Sequence, residues 1–193
     1  MSGYQSVAQV QALTTDPTNA FVIVKATQGL AYVSSGWPTR RDAAGDKFVG
    51  AYHYCEPGHL ALDEADHFLT TVGPDVPFMA LDVEAAVTPD FVLSWLDQVK
   101  ARTGRTPAVY TNWAWLPKLR TACTVEQWEG LVEYPLWLAE IAPVGKHSSV
   151  DPKPGSGKSW PVLVHQYAYT PDSTGAQVDR DWTGDLARLR GAS

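Results

Sequence analysis

Two carboxylates stand one residue apart at the end of an apolar run in residues 77–87, "PFMALDVEAAV". Residues i and i+2 of a strand point to the same face. A rise of about 3.3 Å per residue therefore places Asp82 and Glu84 about 6.6 Å apart. Two acids that close in a partly dry site do not both ionise freely, so one pKa should rise. We expect the raised pKa at Glu84, and paired acids at this range are those that glycoside hydrolysis uses.

Other interpretations of these residues remain open at this point. The acids could form a structural ion pair with Lys25. We expect no metal site and no cofactor, because His53 and His165 have no ligand spacing to the acids. Each histidine, taken alone, is more typical of a hydrogen-bonded core residue than of a catalyst.

Polar side chains end almost every apolar run of the chain. They are Lys25 and Thr27, residues 52–54, Asp82 and Glu84, Tyr110 and Asn112, Trp137 and Glu140, and residues 165–167. In parallel barrels the active site lies at the C-terminal ends of the strands. This convergence predicts one site at that face of the fold.

The apolar runs themselves indicate the elements that hold this site. Strands are predicted at 21–27, 48–54, 78–84, 108–112, 135–140, 162–167 and 176–182. Helical spacing predicts helices over 60–72 and 89–103, and a capping box predicts a third over 124–132. Strands with little alternation, separated by helices, are typical of a mainly parallel sheet buried on both faces. Helices are few after residue 132, so we expect an α/β fold, an irregular (β/α) barrel with about eight strands and fewer helices.

Length and composition exclude several classes of protein. The 193 residues predict a single domain, 1–193, with a Gly-, Pro- and Ser-rich exposed loop at 144–160. A net charge of −6 argues against nucleic acid. No run approaches the roughly 20 apolar residues of a membrane helix, and no signal peptide is expected at the N-terminus. Cys55 and Cys123 are expected to be free thiols, and some of the eight Trp and eight Tyr are expected to stack on a sugar.

Nine short motifs occur in order over nearly the whole chain. They are "SGYQ" (2–5), "FVIVKATQG" (21–29), "VGAYHY" (49–54), "EADHF" (64–68), "LDVE" (81–84), "RTGRTPAVYTN" (102–112), "YPLWLAE" (134–140), "VLVHQYA" (162–168) and "VDRDW" (178–182). Together they resemble the glycoside hydrolase family 25 muramidases, lysozymes of fungi, bacteria and phages.

The resemblance implies an irregular α/β barrel that cleaves the β-1,4 bond between N-acetylmuramic acid and N-acetylglucosamine. Its partner would be the glycan strand of peptidoglycan. Asp82, Glu84 and Asp179 fall on the family's catalytic acids, with Glu84 as general acid and base and Asp82 assisting. The substrate-binding candidates are Lys25, Tyr52, Tyr110, Trp137 and Gln166.

One departure from the family keeps other functions open. The family usually opens with an aspartate two residues before the serine at Ser2, and this sequence begins at Met1. The start could lie upstream, the protein could work without this acid, or it could be a weakened glycan-binding or virion structural module. We favour an enzyme, because both acids of the pair are present; a chitin-directed hydrolase is a third hypothesis. Without a signal peptide, the protein would reach the wall by host lysis, on a virion or through a wall-targeting partner chain.

Overall fold

The computed structural model of the protein describes residues 6–144, 146, 148–171 and 177–190. Within these ranges the chain forms seven α-helices, nine strands and a short 3-10 helix at Gly45–Lys47. In chain order the α-helices and strands are α1 (Val7–Thr15), β1 (Val22–Gln28), β2 (Tyr32–Val33), α2 (Trp37–Ala44), β3 (Phe48–Tyr54), α3 (Ala61–Val72), β4 (Phe78–Asp82), α4 (Pro89–Thr103), β5 (Ala108–Asn112), α5 (Leu116–Ala122), α6 (Val125–Leu131), β6 (Leu136–Ala139), β7 (Ser149–Val150), β8 (Trp160–Pro171), β9 (Gln177–Trp182) and α7 (Leu186–Leu189).

The strands form a sheet in the order β2-β1-β3-β4-β5-β6-β8-β7, and β9 pairs with β8. The strands from β1 through β3, β4, β5 and β6 to β8 pair in parallel, whereas β2, β7 and β9 pair antiparallel to their neighbours. The expected α/β fold with fewer helices than strands is confirmed. The barrel is not closed, because in the described part of the chain no strand pairing joins β1 to β8 or β9.

Most predicted elements are present, with different ends. Strand β4 ends at Asp82, two residues earlier than predicted, and β8 extends to Pro171. Helix α4 has its predicted bounds; it begins after the cap Thr88 and ends at Gly104, whose φ of 71° favours glycine. The capping box of α6 is also confirmed. Short elements with weak periodicity, such as α2 and α5, were not predicted.

Two apolar clusters cover the two faces of the central strands. Along β4, Phe78 and Ala80 belong to the smaller cluster, which lies on the inner face of the curved sheet. Met79 and Leu81 belong to the larger cluster, which packs against the helices. Because the side-chain period of a strand is two residues, Asp82 continues the inner face of Phe78 and Ala80.

The segment 144–160 is only partly the exposed loop that we expected. It contains β7, and Val150 and Trp160 are almost fully buried in the larger cluster. The Trp160 indole N–H donates to the Tyr134 carbonyl at 2.7 Å, which satisfies its polar atom. Cys55 and Cys123 are free and buried, as expected. In the described residues, the helices are all too short or too polar to cross a membrane.

Substitution of Gly50 tests the close packing of β3 against β4. A Cβ at this buried position would lie 2.3 Å from the Phe78 carbonyl oxygen. Because backbone atoms cannot move aside cheaply, Gly50→Ala should destabilise the protein by about 2 kcal/mol, a loss of roughly 4–8 °C in Tm. Thermal unfolding followed by circular dichroism measures this. Gly157→Ala, where a Cβ meets nothing within 4 Å, is the matched control, and an equal Tm for the two variants would contradict this packing.

Candidate active site

A cavity of 160 Å³ lies at the C-terminal ends of the parallel strands. Its walls contain seven of the eight site residues that the sequence predicts: Tyr52, Asp82, Glu84, Tyr110, Trp137, Gln166 and Asp179. A larger cleft of 480 Å³ lies between the start of β1 and β9, and it shares only Asp179 with these residues. We take the smaller cavity as the candidate site, because it brings the predicted acids together.

The register of the parallel strands places these side chains at one level. Asp82 of β4 is paired with Tyr110 of β5, and Tyr110 is paired with Trp137 of β6. The aromatic rings meet as a result: the centroids of Tyr110 and Trp137 lie 4.8 Å apart, and those of Tyr52 and Trp137 lie 6.1 Å apart. Tyr52, Tyr110 and Trp137 thus form an aromatic wall beside the acids.

Glu84 lies beyond the end of β4, yet its backbone is held in place. The Val83 N–H donates to the Tyr110 carbonyl at 2.8 Å, and the Thr111 hydroxyl donates to the Val83 carbonyl at 2.9 Å. The Tyr54 hydroxyl donates to the carbonyl of Glu84 itself at 3.1 Å. Because Glu84 is outside the strand, the strand rise does not set its distance from Asp82, and the separation of about 6.6 Å stays a prediction.

Burial raises the pKa of Asp82 well above its usual range, and the neighbouring Glu84 and Asp179 raise it further. The side chain of Asp82 is 6% exposed, and its Oδ1 has no hydrogen-bond partner within the described ranges. Loss of hydration without replacement hydrogen bonds penalises the charged form. The larger rise therefore falls on Asp82, whereas the sequence led us to expect it at Glu84.

The pKa of Glu84 is also raised by burial, and Asp179 adds to the rise. Hydrogen bonds from Asn112 and Tyr110 act against it, because they favour the carboxylate. Asn112 Nδ2 donates to Glu84 Oε1 at 2.5 Å. These bonds are the physical reason that Glu84 is shifted less than Asp82. Both acids nevertheless lie in one cavity with raised pKa values, and the charge of Glu84 contributes to the rise at Asp82.

Asn112 was named among the polar strand ends, but not among the catalytic or substrate-binding candidates. Its Oδ1 accepts from the backbone N–H groups of Ala114 at 2.8 Å and Trp115 at 3.2 Å. This turn fixes which end of the amide faces Glu84, so that the NH₂ group donates to the carboxylate. The available signal was its position at the polar end of β5, two residues after Tyr110.

Lys25 lies beside the cavity and is not part of its wall. Its Nζ donates to Gln28 Oε1 at 2.7 Å and lies 4.8 Å from the centroid of the Tyr54 ring. No described carboxylate lies within ion-pair distance of it, so the proposed structural ion pair with the acids is absent from this part of the chain. Burial lowers the pKa of Lys25, and the charges of Asp82 and Glu84 oppose that change.

The position of Trp137 depends on a second aspartate that we did not single out. Asp181 Oδ1 accepts from the Trp137 indole N–H at 2.7 Å. Burial raises the pKa of Asp181 to about 7. Asp181 follows Asp179 at the same-face spacing of a strand, which is the sequence signal for it. Asp179 thus lies in the cavity wall, and Asp181 lies behind the Trp137 indole.

The two histidines are hydrogen-bonded core residues. His53 Nδ1 lies 2.7 Å from the Thr27 hydroxyl, and its Nε2 lies 2.9 Å from Glu64 Oε2. His165 Nε2 donates to the Glu140 carbonyl at 2.9 Å. Neither lines the cavity. No group of three or more His, Cys, Asp or Glu side chains in the described ranges could hold a metal ion.

Comparison with solved structures shows the same fold. A muramidase from Acremonium alcalophilum superposes with a TM-score of 0.73 over 100% of this chain and 95% of its own, at 24% identity. A family GH25 lysozyme from Aspergillus fumigatus gives a TM-score of 0.72 over 99% and 95% of the two chains, at 20% identity.

Comparison of sequences adds curated relatives. An N,O-diacetylmuramidase from Arthroderma benhamiae is 29% identical over 135 residues, which are 60% of this chain and 57% of the relative. An N,O-diacetylmuramidase from Chalaropsis sp. is 30% identical over 119 residues, 49% of this chain and 56% of the relative. The matches thus span little more than half the length of these relatives. The family model "Glycosyl hydrolases family 25" matches residues 1–176, and the chain therefore belongs to glycosyl hydrolase family 25.

Proposed function

We propose that this protein is a muramidase that hydrolyses the β-1,4 bond between N-acetylmuramic acid and N-acetylglucosamine in peptidoglycan. The observation that carries the proposal is the pair Asp82 and Glu84, which share one cavity and both have a raised pKa. Membership of family 25 and the muramidase names of similar proteins support this substrate. The aspartate that the family usually carries two residues before the serine at Ser2 belongs to the N-terminal region, where the structure does not describe residues 1–5.

In this proposal, Asp82 and Glu84 together supply a proton and a negative charge. With both pKa values raised, the pair retains a proton at a pH where isolated carboxylates have lost theirs. When the 2-acetamido group of the substrate reaches the site, its N–H donates to Asp82 and favours the ionised form of that acid. The proton then resides on Glu84, because the charge on the ionised Asp82 raises the pKa of the neighbouring acid.

The reaction then proceeds with the substrate as nucleophile. The acetamido oxygen attacks the anomeric carbon, the glycosidic C–O bond breaks, and the Glu84 proton moves to the leaving oxygen. Asp82 stabilises the positive charge on the acetamido nitrogen. Glu84, now ionised, takes a proton from water, which attacks the anomeric carbon and regenerates the acetamido group. Asp179 lines the same cavity and acts to orient that water.

Glu84→Gln tests the proton donor. The amide keeps the size of the side chain and removes its titrating proton, so wall lysis should fall by roughly 10²–10⁴-fold. A turbidity assay on cell walls measures the loss, and Glu126→Gln, which alters an exposed glutamate in the first turn of α6, is the control. Lysis by Glu84→Gln within tenfold of the parent would refute this role and would favour a glycan-binding module.

Asn112→Asp tests whether Asn112 lowers the pKa of Glu84, through the pH dependence of kcat/KM. An aspartate keeps the oxygen that accepts from Ala114 and Trp115, and it replaces the NH₂ donor to Glu84 by a second negative charge. Both changes raise the pKa of Glu84, so the acid stays protonated to higher pH. The alkaline limb of kcat/KM should move to higher pH, with an unchanged Tm. A limb that stays in place would show that Asn112 does not act on the proton donor.

The anomeric form of the first product tests the role of the acetamido group. Because the separation of the acids is not set by the strand, inversion has no geometric preference, and substrate assistance predicts net retention. Proton NMR of a chitooligosaccharide or peptidoglycan fragment digest, recorded before mutarotation, should show the β anomer first. An initial α anomer would mean direct attack by water, and so would an equal rate on a substrate without the acetamido group.

A further inference from the structure

A further cleft, of 370 Å³, has Trp113, the residue after Asn112, in its wall. Its apolar part consists of Trp113, Leu116, Pro117 and Val150, and its basic part consists of Arg120 and Lys153. Among the residues that the structure describes, no acidic side chain lines it. We refer to it as the basic cleft. Its residues come from the end of β5, from α5 and from the segment around β7.

One residue of the basic cleft follows directly after an active-site residue along the chain. Asn112 contacts Glu84, and Trp113 is the next residue. Consecutive Cα atoms are about 3.8 Å apart, so the backbone of one residue of the cleft wall lies next to Asn112, which bonds the proton donor. The indole of Trp113 is 40% exposed and forms part of the cleft wall.

The two cations of the basic cleft are held in place by backbone oxygens. Arg120 Nη2 donates to the Pro152 carbonyl, and its guanidinium lies 5.9 Å from the centroid of the Trp128 ring. Lys153 Nζ donates to the Arg120 carbonyl at 2.9 Å. Among the described residues no carboxylate forms an ion pair with either cation. In a protein with a net charge of −6, this leaves a local positive field that attracts an anion.

We propose that the basic cleft binds the stem peptide of peptidoglycan through its carboxylates. The inference rests on the proposed function, because the stem peptide is carried by the N-acetylmuramic acid that the active site would bind. A stem peptide combines methyl groups of alanine residues with free carboxylates, and the cleft offers apolar walls next to two cations. A polyol phosphate of the wall would pair with the cations but has no groups for the apolar walls, so the structure favours the peptide.

Binding of the free peptide tests the cleft without catalysis. The probe is the synthetic tetrapeptide L-Ala-D-Glu-L-Lys-D-Ala, titrated into the Glu84→Gln protein and followed by the NMR signal of the Trp113 indole N–H. Saturable shifts are expected, and they should weaken at least fivefold when D-isoglutamine replaces D-glutamate. They should also weaken with salt, because exposed charges are screened. Equal shifts for the two peptides, or none, would overturn the proposal.

Kinetics tests the same cleft in the enzyme. The two substrates are soluble uncrosslinked glycan chains with their stem peptides, and the same chains after an amidase has removed the peptides. For Arg120→Gln combined with Lys153→Gln, the ratio of KM on peptide-bearing chains to KM on peptide-free chains should rise at least fivefold. Arg120→Lys combined with Lys153→Arg keeps both charges and should restore the ratio. An unchanged ratio in the glutamine variant would refute the proposal.

A matched control removes one lysine charge and one arginine charge outside the basic cleft. Lys47 Nζ donates to the Asp16 carbonyl at 2.6 Å, and Arg190 Nη2 donates to the Ala20 carbonyl at 3.4 Å. Lys47→Gln combined with Arg190→Gln should leave the ratio at its parent value, and a matching rise in it would attribute the effect to net charge. If the parent enzyme cleaves neither glycan substrate, the proposed function is refuted. The peptide titration would then still show whether the cleft binds the stem peptide. Competition by a ribitol phosphate polymer but not by the peptide would assign the cleft to wall polymers.

Discussion

The site depends on one constraint, the burial of a carboxylate at the inner end of an apolar strand. Asp82 continues the face formed by Phe78 and Ala80 and is 6% exposed, with no partner for Oδ1 among the described residues. A buried charge without partners costs several kcal/mol, so the side chain keeps its proton to a higher pH than usual. The charge of Lys25 opposes this rise in the pKa, and Glu84 and Asp179 reinforce it. The fold therefore favours the protonated form of Asp82 more strongly than water favours it for an exposed carboxyl group.

The other residues of the site determine how the pKa values of Asp82 and Glu84 differ. Asp82 receives its environment from the strand, since parallel neighbours bury both of its sides. Glu84 follows the strand and receives donors from Asn112 and Tyr110, which favour its ionised form. Two carboxyl groups of the same intrinsic chemistry thus acquire different environments within three residues of chain. Such a difference in environment separates acid from stabiliser in paired-carboxylate enzymes.

The parts of this fold that follow local rules were predictable from the sequence. Helix α4 could be predicted because Thr88, Pro89 and Gly104 mark its ends. The parallel strands could be predicted because their apolar runs are unbroken. Seven of the eight predicted site residues meet in one cavity because strand ends of a parallel sheet converge. Lys25 lies outside the cavity wall because its side chain turns to Gln28, a contact that spacing does not reveal, and its role in substrate binding stays a prediction. The open edge between β1 and β8, the hydrogen bond from Trp137 to Asp181 and the orientation of Asn112 depend on tertiary contacts.

The distribution of charge supports the proposal that the two cavities bind parts of one substrate. Counting the described residues, the active-site cavity is lined by three acids and no basic side chain, whereas the basic cleft is lined by two cations and no acid. A polymer with free carboxylates would be repelled by the acids if all of them were ionised. The raised pKa values of Asp82 and Glu84 reduce that repulsion, and the cations of the cleft provide an attractive position for the anionic side branch. A neutral sugar backbone over the acids, with its acidic peptide directed to Arg120 and Lys153, is the arrangement in which neither charge set faces its own sign.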